Sequence, residues 1–145
     1  MRRLSIITLA IMACIAGGAG PMREPGNNAG LTILFGARWC APCMAEYKNL
    51  PALVAAAAPD RLALAWIDQP IAPPSQGAPN VLSLPASEAR HLAYKVAGAG
   101  YGLPFSVKFN LKGDVCAIWR APLGAEDFAV LRARCAQFTA AEQSK

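Results

Sequence analysis

Histidine is almost missing from this chain of 145 residues: His91 stands alone. It sits in Ser87-Glu88-Ala89-Arg90-His91, a polar helix-like stretch, and reads as a surface residue. No suitable His or Met flanks the cysteines for copper delivery, and no metal or other cofactor is expected. Clustered positive charge is missing too. The formal net charge is +5, yet the Lys and Arg residues are scattered and form no run beside aromatics. A nucleic-acid partner is therefore not expected, and a solvated surface is. There is no internal repeat. The apolar stretch Leu4 to Ala16 is short for a membrane span.

That stretch follows Arg2-Arg3 and precedes Gly17-Gly18-Ala19, the charged start, apolar run and small-residue end of an export signal. Residues 1–19 are expected to be a signal peptide on the general export route, because Arg2-Arg3 lacks the flanks of a twin-arginine signal. Ile11-Met12-Ala13-Cys14 also resembles a lipobox, which would end the signal before Cys14 and make that cysteine a lipid anchor. Removing 1–19 takes Arg2 and Arg3 from the fourteen Lys and Arg, leaving twelve against nine Asp and Glu. Residues 20–30, with Pro25-Gly26-Asn27-Asn28, read as a tether. Residues 31–140 are enough for one domain with one core. Cys14 aside, Cys40, Cys43, Cys116 and Cys135 make an even set, which suits a periplasmic or extracytoplasmic compartment where thiols oxidise.

Patterning places strands at Leu31 to Phe35, Arg61 to Ile67, Phe105 to Asn110 and Val115 to Trp119. A helix is expected from the second cysteine to about Ala57, with Met44, Tyr47, Leu50 and Val54 on one stripe. Pro51 should kink it near Tyr47-Lys48. Further helices are expected over Ala86 to Val96 and Gly124 to Phe138, the latter with a stripe of Phe128, Leu131, Cys135 and Phe138. Segment 70–85 carries Pro70, Pro73, Pro74, Pro79 and Pro85, so a proline-rich insertion without regular structure is expected there. The order is β-α-β-α-β-β-α. Right-handed crossovers make the first two strands parallel, and the hairpin adds an antiparallel pair. The expected fold class is α/β, a mixed four-stranded sheet with helices on both faces.

Trp39-Cys40-Ala41-Pro42-Cys43 carries the chemistry. Two cysteines three apart at a strand-to-helix turn can close a small ring, and the first of them should meet solvent. The helix start puts unpaired N–H groups and partial positive charge beside that sulfur, favouring the thiolate that attacks disulfides. Pro42 costs little in a first helical turn. Cys40 is the expected attacking thiol and Cys43 the resolving one.

Phe35 to Glu46 resembles the active-site region of the thioredoxin superfamily, and its exported TlpA- and ResA-like reductases in particular, where a Glu often follows the second cysteine by three as Glu46 does. Trp66-Ile67-Asp68-Gln69 resembles the end of the next thioredoxin strand, Gly102-Leu103-Pro104 the cis-proline loop, and Lys112-Gly113-Asp114-Val115 the following hairpin turn. The resemblance covers about residues 31 to 138. It implies a thioredoxin-like fold, a cis Pro104 packed against the cysteine pair, a Trp39 that shelters the site if it is not simply a core aromatic, and a Leu103 backbone that pairs with an extended client. Two departures stand out. Thioredoxins keep a buried carboxylate six residues before the first cysteine, here Leu34, and often a partner lysine on the next strand, here Leu64. With both apolar, no buried charge is stranded, but the proton acceptor for Cys43 is left open between Glu46 and a water.

In that topology the last helix returns across the last strand. Cys116 and Cys135 are therefore expected to form a structural disulfide, although strict alternation groups Cys116 with Ile118 and Arg120, opposite Val115, Ala117 and Trp119. The functional expectation is an exported thiol–disulfide oxidoreductase that reduces disulfides of a client protein and is recharged by a membrane electron donor. The Ala41-Pro42 dipeptide lacks the His of strongly oxidising relatives. The alternatives are a disulfide-forming oxidant, or a binding module of a membrane-associated assembly that uses the 70–85 segment as its contact surface.

Overall fold

A computed structural model describes residues 30–73 and 81–143. The export signal, Cys14 and nearly all of the tether lie outside the described residues. The element order is β1 (Leu31–Gly36), α1 (Ala41–Lys48), α2 (Leu50–Ala57), β2 (Arg61–Trp66), β3 (Leu82–Ser83), α3 (Ala86–Ala97), β4 (Phe105–Phe109), β5 (Val115–Trp119) and α4 (Asp127–Gln143). One sheet runs β3-β2-β1-β4-β5. β1 pairs parallel with β2 and antiparallel with β4; β2 pairs parallel with β3, and β4 antiparallel with β5.

The sheet has five strands, not the expected four. The fifth comes from the proline-rich insertion. Leu82 and Ser83 stand opposite Ala63 and Leu64 of β2, and Leu84 N–H donates to the Leu64 carbonyl at 2.8 Å. Prolines do not exclude this, because the five residues between Pro79 and Pro85, the paired Leu82 and Ser83 among them, all keep their N–H groups. Ile71 and Val81 are buried at 8% exposure each, so the insertion contributes two side chains to the core.

The expected first helix is two. Pro51 has no N–H to give the carbonyl of Tyr47, and the chain breaks at Asn49, whose N–H reaches the Ala45 and Glu46 carbonyls instead. Pro51 then falls in the first turn of α2, where a missing N–H costs nothing. The last helix begins at Asp127 rather than Gly124, with the Asp127 carboxylate accepting from Gly124 N–H at 2.7 Å.

Burial divides into two layers. Leu34, Leu62, Leu64, Trp66 and Ala117 pack against Cys43, Leu50, Leu53 and Ala57 of α1 and α2 and against Phe128 and Leu131 of α4. On the other face, Ile33, Phe35, Ala63, Ala65, Phe105 and Val107 pack against Ala89 and Ala93 of α3, with Phe35 and Phe105 stacked at 4.4 Å. Phe138, expected on the α4 stripe, is 38% exposed, so the buried stripe ends at Cys135.

Strict alternation along β5 fails at one place. Phe109 pairs with Val115 but Lys108 pairs with Ala117, so Cys116 is an extra residue at a bulge. The bulge turns Cys116 to the same face as Ala117 and α4, and Cys116 is disulfide-bonded to Cys135 with Cα atoms 4.7 Å apart.

Candidate active site

β1 ends at Gly36, and the chain turns through Ala37, Arg38 and Trp39 into α1. Cys40 is the residue capping the N-terminus of α1, in extended conformation (φ −87°, ψ 102°), with Pro42 in the first turn. Cys40 and Cys43 form a disulfide with Cα atoms 5.2 Å apart. The Cys43 N–H donates to Cys40 Sγ at 3.3 Å, so a backbone donor left over at the helix start is aimed at one sulfur of the pair. Both cysteines are largely covered, Cys40 at 5% exposure and Cys43 at 1%. The expected contrast in exposure is small. The contrast in hydrogen bonding separates them instead.

Gly36 is what lets Cys43 sit down on the strand end. A Cβ at Gly36 would lie 3.0 Å from the Cys43 Cβ and 3.3 Å from the Trp66 ring. The sequence signal for it is a glycine closing an apolar strand pattern, a sign of close backbone approach.

Glu46 follows one turn after Cys43 and is buried at 7% exposure. Its Oε1 accepts a short hydrogen bond from Leu123 N–H. Burial raises its carboxyl from the ordinary 4.5 to about 7, opposed by that backbone donor. Glu46 and Cys43 line one cavity of about 10 Å³ together with Leu34, Leu64 and Trp66, close to the smallest space that holds a water.

The turn before Cys40 is tied to the start of the proline-rich segment. Arg38 N–H donates to Asp68 Oδ2 at 2.8 Å and its guanidinium to the Pro70 carbonyl at 3.3 Å. Tyr47 Oη donates to the Ala72 carbonyl at 2.7 Å, and its ring stands edge-on to Trp66. Tyr47 was legible as a helix-stripe residue and Asp68 as a strand end, but neither tie is visible in sequence. Trp39 is 72% exposed, which removes the core-aromatic reading. Pro42 is exposed as well.

Antiparallel pairing of Phe35 with Phe105 brings the start of β4 to the end of β1. Pro104 is buried there, and its bond to Leu103 is cis. Leu103 packs against both core layers. Cys40, Cys43, Glu46 and Pro104 thus share one end of the sheet.

Solved structures similar to this chain include a thioredoxin-family thiol:disulfide interchange protein from Chlorobium tepidum TLS. It is 20% identical over 75% of this chain and 81% of that one, with a TM-score of 0.54. The fold is thioredoxin-like. StoA from Bacillus subtilis is similar at 16% identity over 74% and 85% of the two chains (TM-score 0.51). The N-terminal domain of PilB from Neisseria gonorrhoeae is similar at 18% over 74% and 78% (TM-score 0.51). No protein-family model matches the sequence, and no curated protein sequence does.

Within this thioredoxin-like frame, Leu34 and Leu64 are direct cross-strand partners, 3% and 1% exposed. The strands supply no carboxylate beneath the cysteines. The helix does, through Glu46, which lines the same small cavity as both leucines.

Proposed function

We propose that this protein is an exported thiol–disulfide oxidoreductase that reduces disulfides in a client protein through Cys40 and Cys43. The observation that carries the reading is the Cys40–Cys43 disulfide at the β1–α1 junction, with the helix-start N–H of Cys43 directed at Cys40 Sγ. That donor stabilises negative charge on Cys40 more than on Cys43, which fits Cys40 as nucleophile.

In the reductive direction the Cys40 thiolate attacks one sulfur of a client disulfide, and the other client sulfur leaves as a thiolate that takes a proton. Cys43 then loses its proton and attacks Cys40 Sγ. The client's second thiol is released, and the pair is oxidised by two electrons. Glu46 receives the Cys43 proton in this reading, directly or across one water. A carboxyl poised near 7 exchanges protons efficiently at neutral pH. Trp39, exposed beside Cys40, and the Leu103 backbone before Pro104 are the surfaces on which the client segment lies.

Recharging needs a dithiol donor, which for an exported protein is a membrane electron carrier. Export rests on the pattern of residues 1–19, with Cys14 as a lipid anchor if the signal ends there, and agrees with a second disulfide outside the active site. The Ala41-Pro42 dipeptide favours reduction over disulfide formation. The binding-module alternative uses the 70–85 segment as its contact surface; Ile71 and Val81 of that segment are buried, while Leu82 on β3 is 62% exposed.

Trapping with Cys43→Ala tests the reading. This variant should accumulate a client joined to Cys40 by a disulfide that dithiothreitol releases, and Cys40→Ser should trap nothing. A redox titration fixes direction. A potential near the roughly −270 mV of thioredoxin supports reduction, and one near the roughly −120 mV of strong oxidants supports disulfide formation.

A further inference from the structure

A cleft of about 440 Å³ lies at the other end of the sheet from Cys40. It opens between Gly30, which precedes β1, the end of β4, the turn after it, and the C-terminal half of α4. Its volume falls within the roughly 300–1,000 Å³ of small-molecule sites. The walls are chiefly apolar: Phe109, Leu111, Ala136 and the Cys135 end of the second disulfide. Leu111 at the mouth is 62% exposed.

The charges around this cleft are unequal. Lys108 at its base is neutralised by Asp60, whose other carboxylate oxygen accepts from Gly30 N–H at 2.9 Å. Two cations remain. Among the described residues Lys112 has no side-chain partner, and Arg132 gives one N–H to the Ala56 carbonyl and its other donors to no group. Asp60, the one carboxylate lining the cleft among the described residues, is taken up by Lys108 and Gly30 N–H. The turn that carries Leu111 and Lys112 is pinned, because Asn110 Oδ1 accepts from the N–H groups of both Lys112 and Asp114 at 2.9 Å.

We propose that this cleft binds a small amphiphilic carboxylate, with its apolar body against Phe109, Leu111 and Ala136 and its anionic head at the Lys112 and Arg132 rim. Apolar walls reject a wholly polar anion, and two unanswered cations reject a cationic amphiphile. The site is independent of the Cys40–Cys43 chemistry. Its occupant covers Cys135 and so shields the Cys116–Cys135 disulfide.

The test uses the purified full chain with decanoate and, as its cationic counterpart, decyltrimethylammonium, both below micelle formation. Decanoate should bind saturably, shift amide resonances of residues 109–112 and 132–139, and slow dithiothreitol reduction of Cys116–Cys135. The cationic probe should bind roughly ten-fold more weakly. Lys112→Glu combined with Arg132→Glu, both exposed positions, should cost roughly ten-fold in decanoate affinity while Cys40–Cys43 exchange is unchanged. Ala136→Trp should abolish binding by filling the cleft. Equal binding of the two amphiphiles, or decanoate binding that survives the charge reversal, overturns the proposal. So does binding that emerges only after residues 20–28 are deleted, which would make the chain's own N-terminal segment the occupant.

Discussion

Replacing Glu46 with glutamine isolates the cost of a buried carboxylate beside the active-site cysteines. Burial lifts its pKa from 4.5 to about 7 in the folded protein. The folded value lies above the unfolded one, so between those two pH values the folded state holds more protons, and stability falls as pH rises. The loss begins near pH 4.5, is complete above about 7, and at about 1.36 kcal/mol per pH unit amounts to roughly 3 kcal/mol. Glutamine keeps the side-chain oxygen that accepts from Leu123 N–H and nearly the same volume. It cannot ionise.

The assay is urea denaturation of both oxidised proteins from pH 4.5 to 8.5, with every other titrating group common to the two curves. The difference between Glu46→Gln and wild type should grow in favour of the variant by roughly 3 kcal/mol across this range. Any fixed cost of the amide offsets the whole difference curve and leaves its slope intact. Parallel profiles would refute the argument that desolvation dominates at Glu46. In the reduced protein the same variant should slow release of a trapped client most near neutral pH, where wild-type Glu46 exchanges protons.

Other outcomes follow from the same geometry. In reduced protein Cys40 should react with iodoacetamide before Cys43, since only Cys40 Sγ receives the helix-start N–H; labelling followed by peptide mapping checks this, and equal rates would remove the assigned roles. Gly36→Ala should destabilise by about 1–3 kcal/mol and perturb the redox potential, because the added methyl meets the Cys43 Cβ and the Trp66 ring, and an unchanged melting profile would count against that contact. Cys116→Ala with Cys135→Ala should cost about 3 kcal/mol from a loop of 19 residues and leave Cys40–Cys43 exchange intact, as read by thermal unfolding and by an insulin-reduction assay.

Legibility in the sequence followed the range of each signal. The cysteine motif, the apolar strand segments of β1, β2 and β4, and the helix preceding the Gly-rich approach to Pro104 are local patterns, and the structure holds all of them. Short-range reasoning failed where one element answers another. Pro51 disrupts the helix beside the expected Tyr47-Lys48, and the interruption falls on Asn49, whose N–H hydrogen-bonds two carbonyls at once, so the segment reads as two helices. Prolines argued against regular structure in 70–85. The unpaired edge of β2 nevertheless recruited Leu82 and Ser83 from between them. Alternation put Cys116 on the face opposite Ala117, and one extra residue at a bulge brought both to α4.

The missing carboxylate under the cysteines follows the same logic. Leu34 and Leu64 leave the strands apolar and mutually satisfied, which removes a charge that would need a buried partner. An acid is still present there, on α1, where Leu123 N–H from a loop 77 residues away satisfies it. Glu46 lines the cavity next to Cys43 with a titratable carboxyl, while its hydrogen-bond partner comes from a turn distant in the sequence. Leu34 and Leu64 alone leave the cavity beside Cys43 apolar; Glu46, held by Leu123 N–H, puts a carboxyl there, and that group is the one the proposed proton transfer uses.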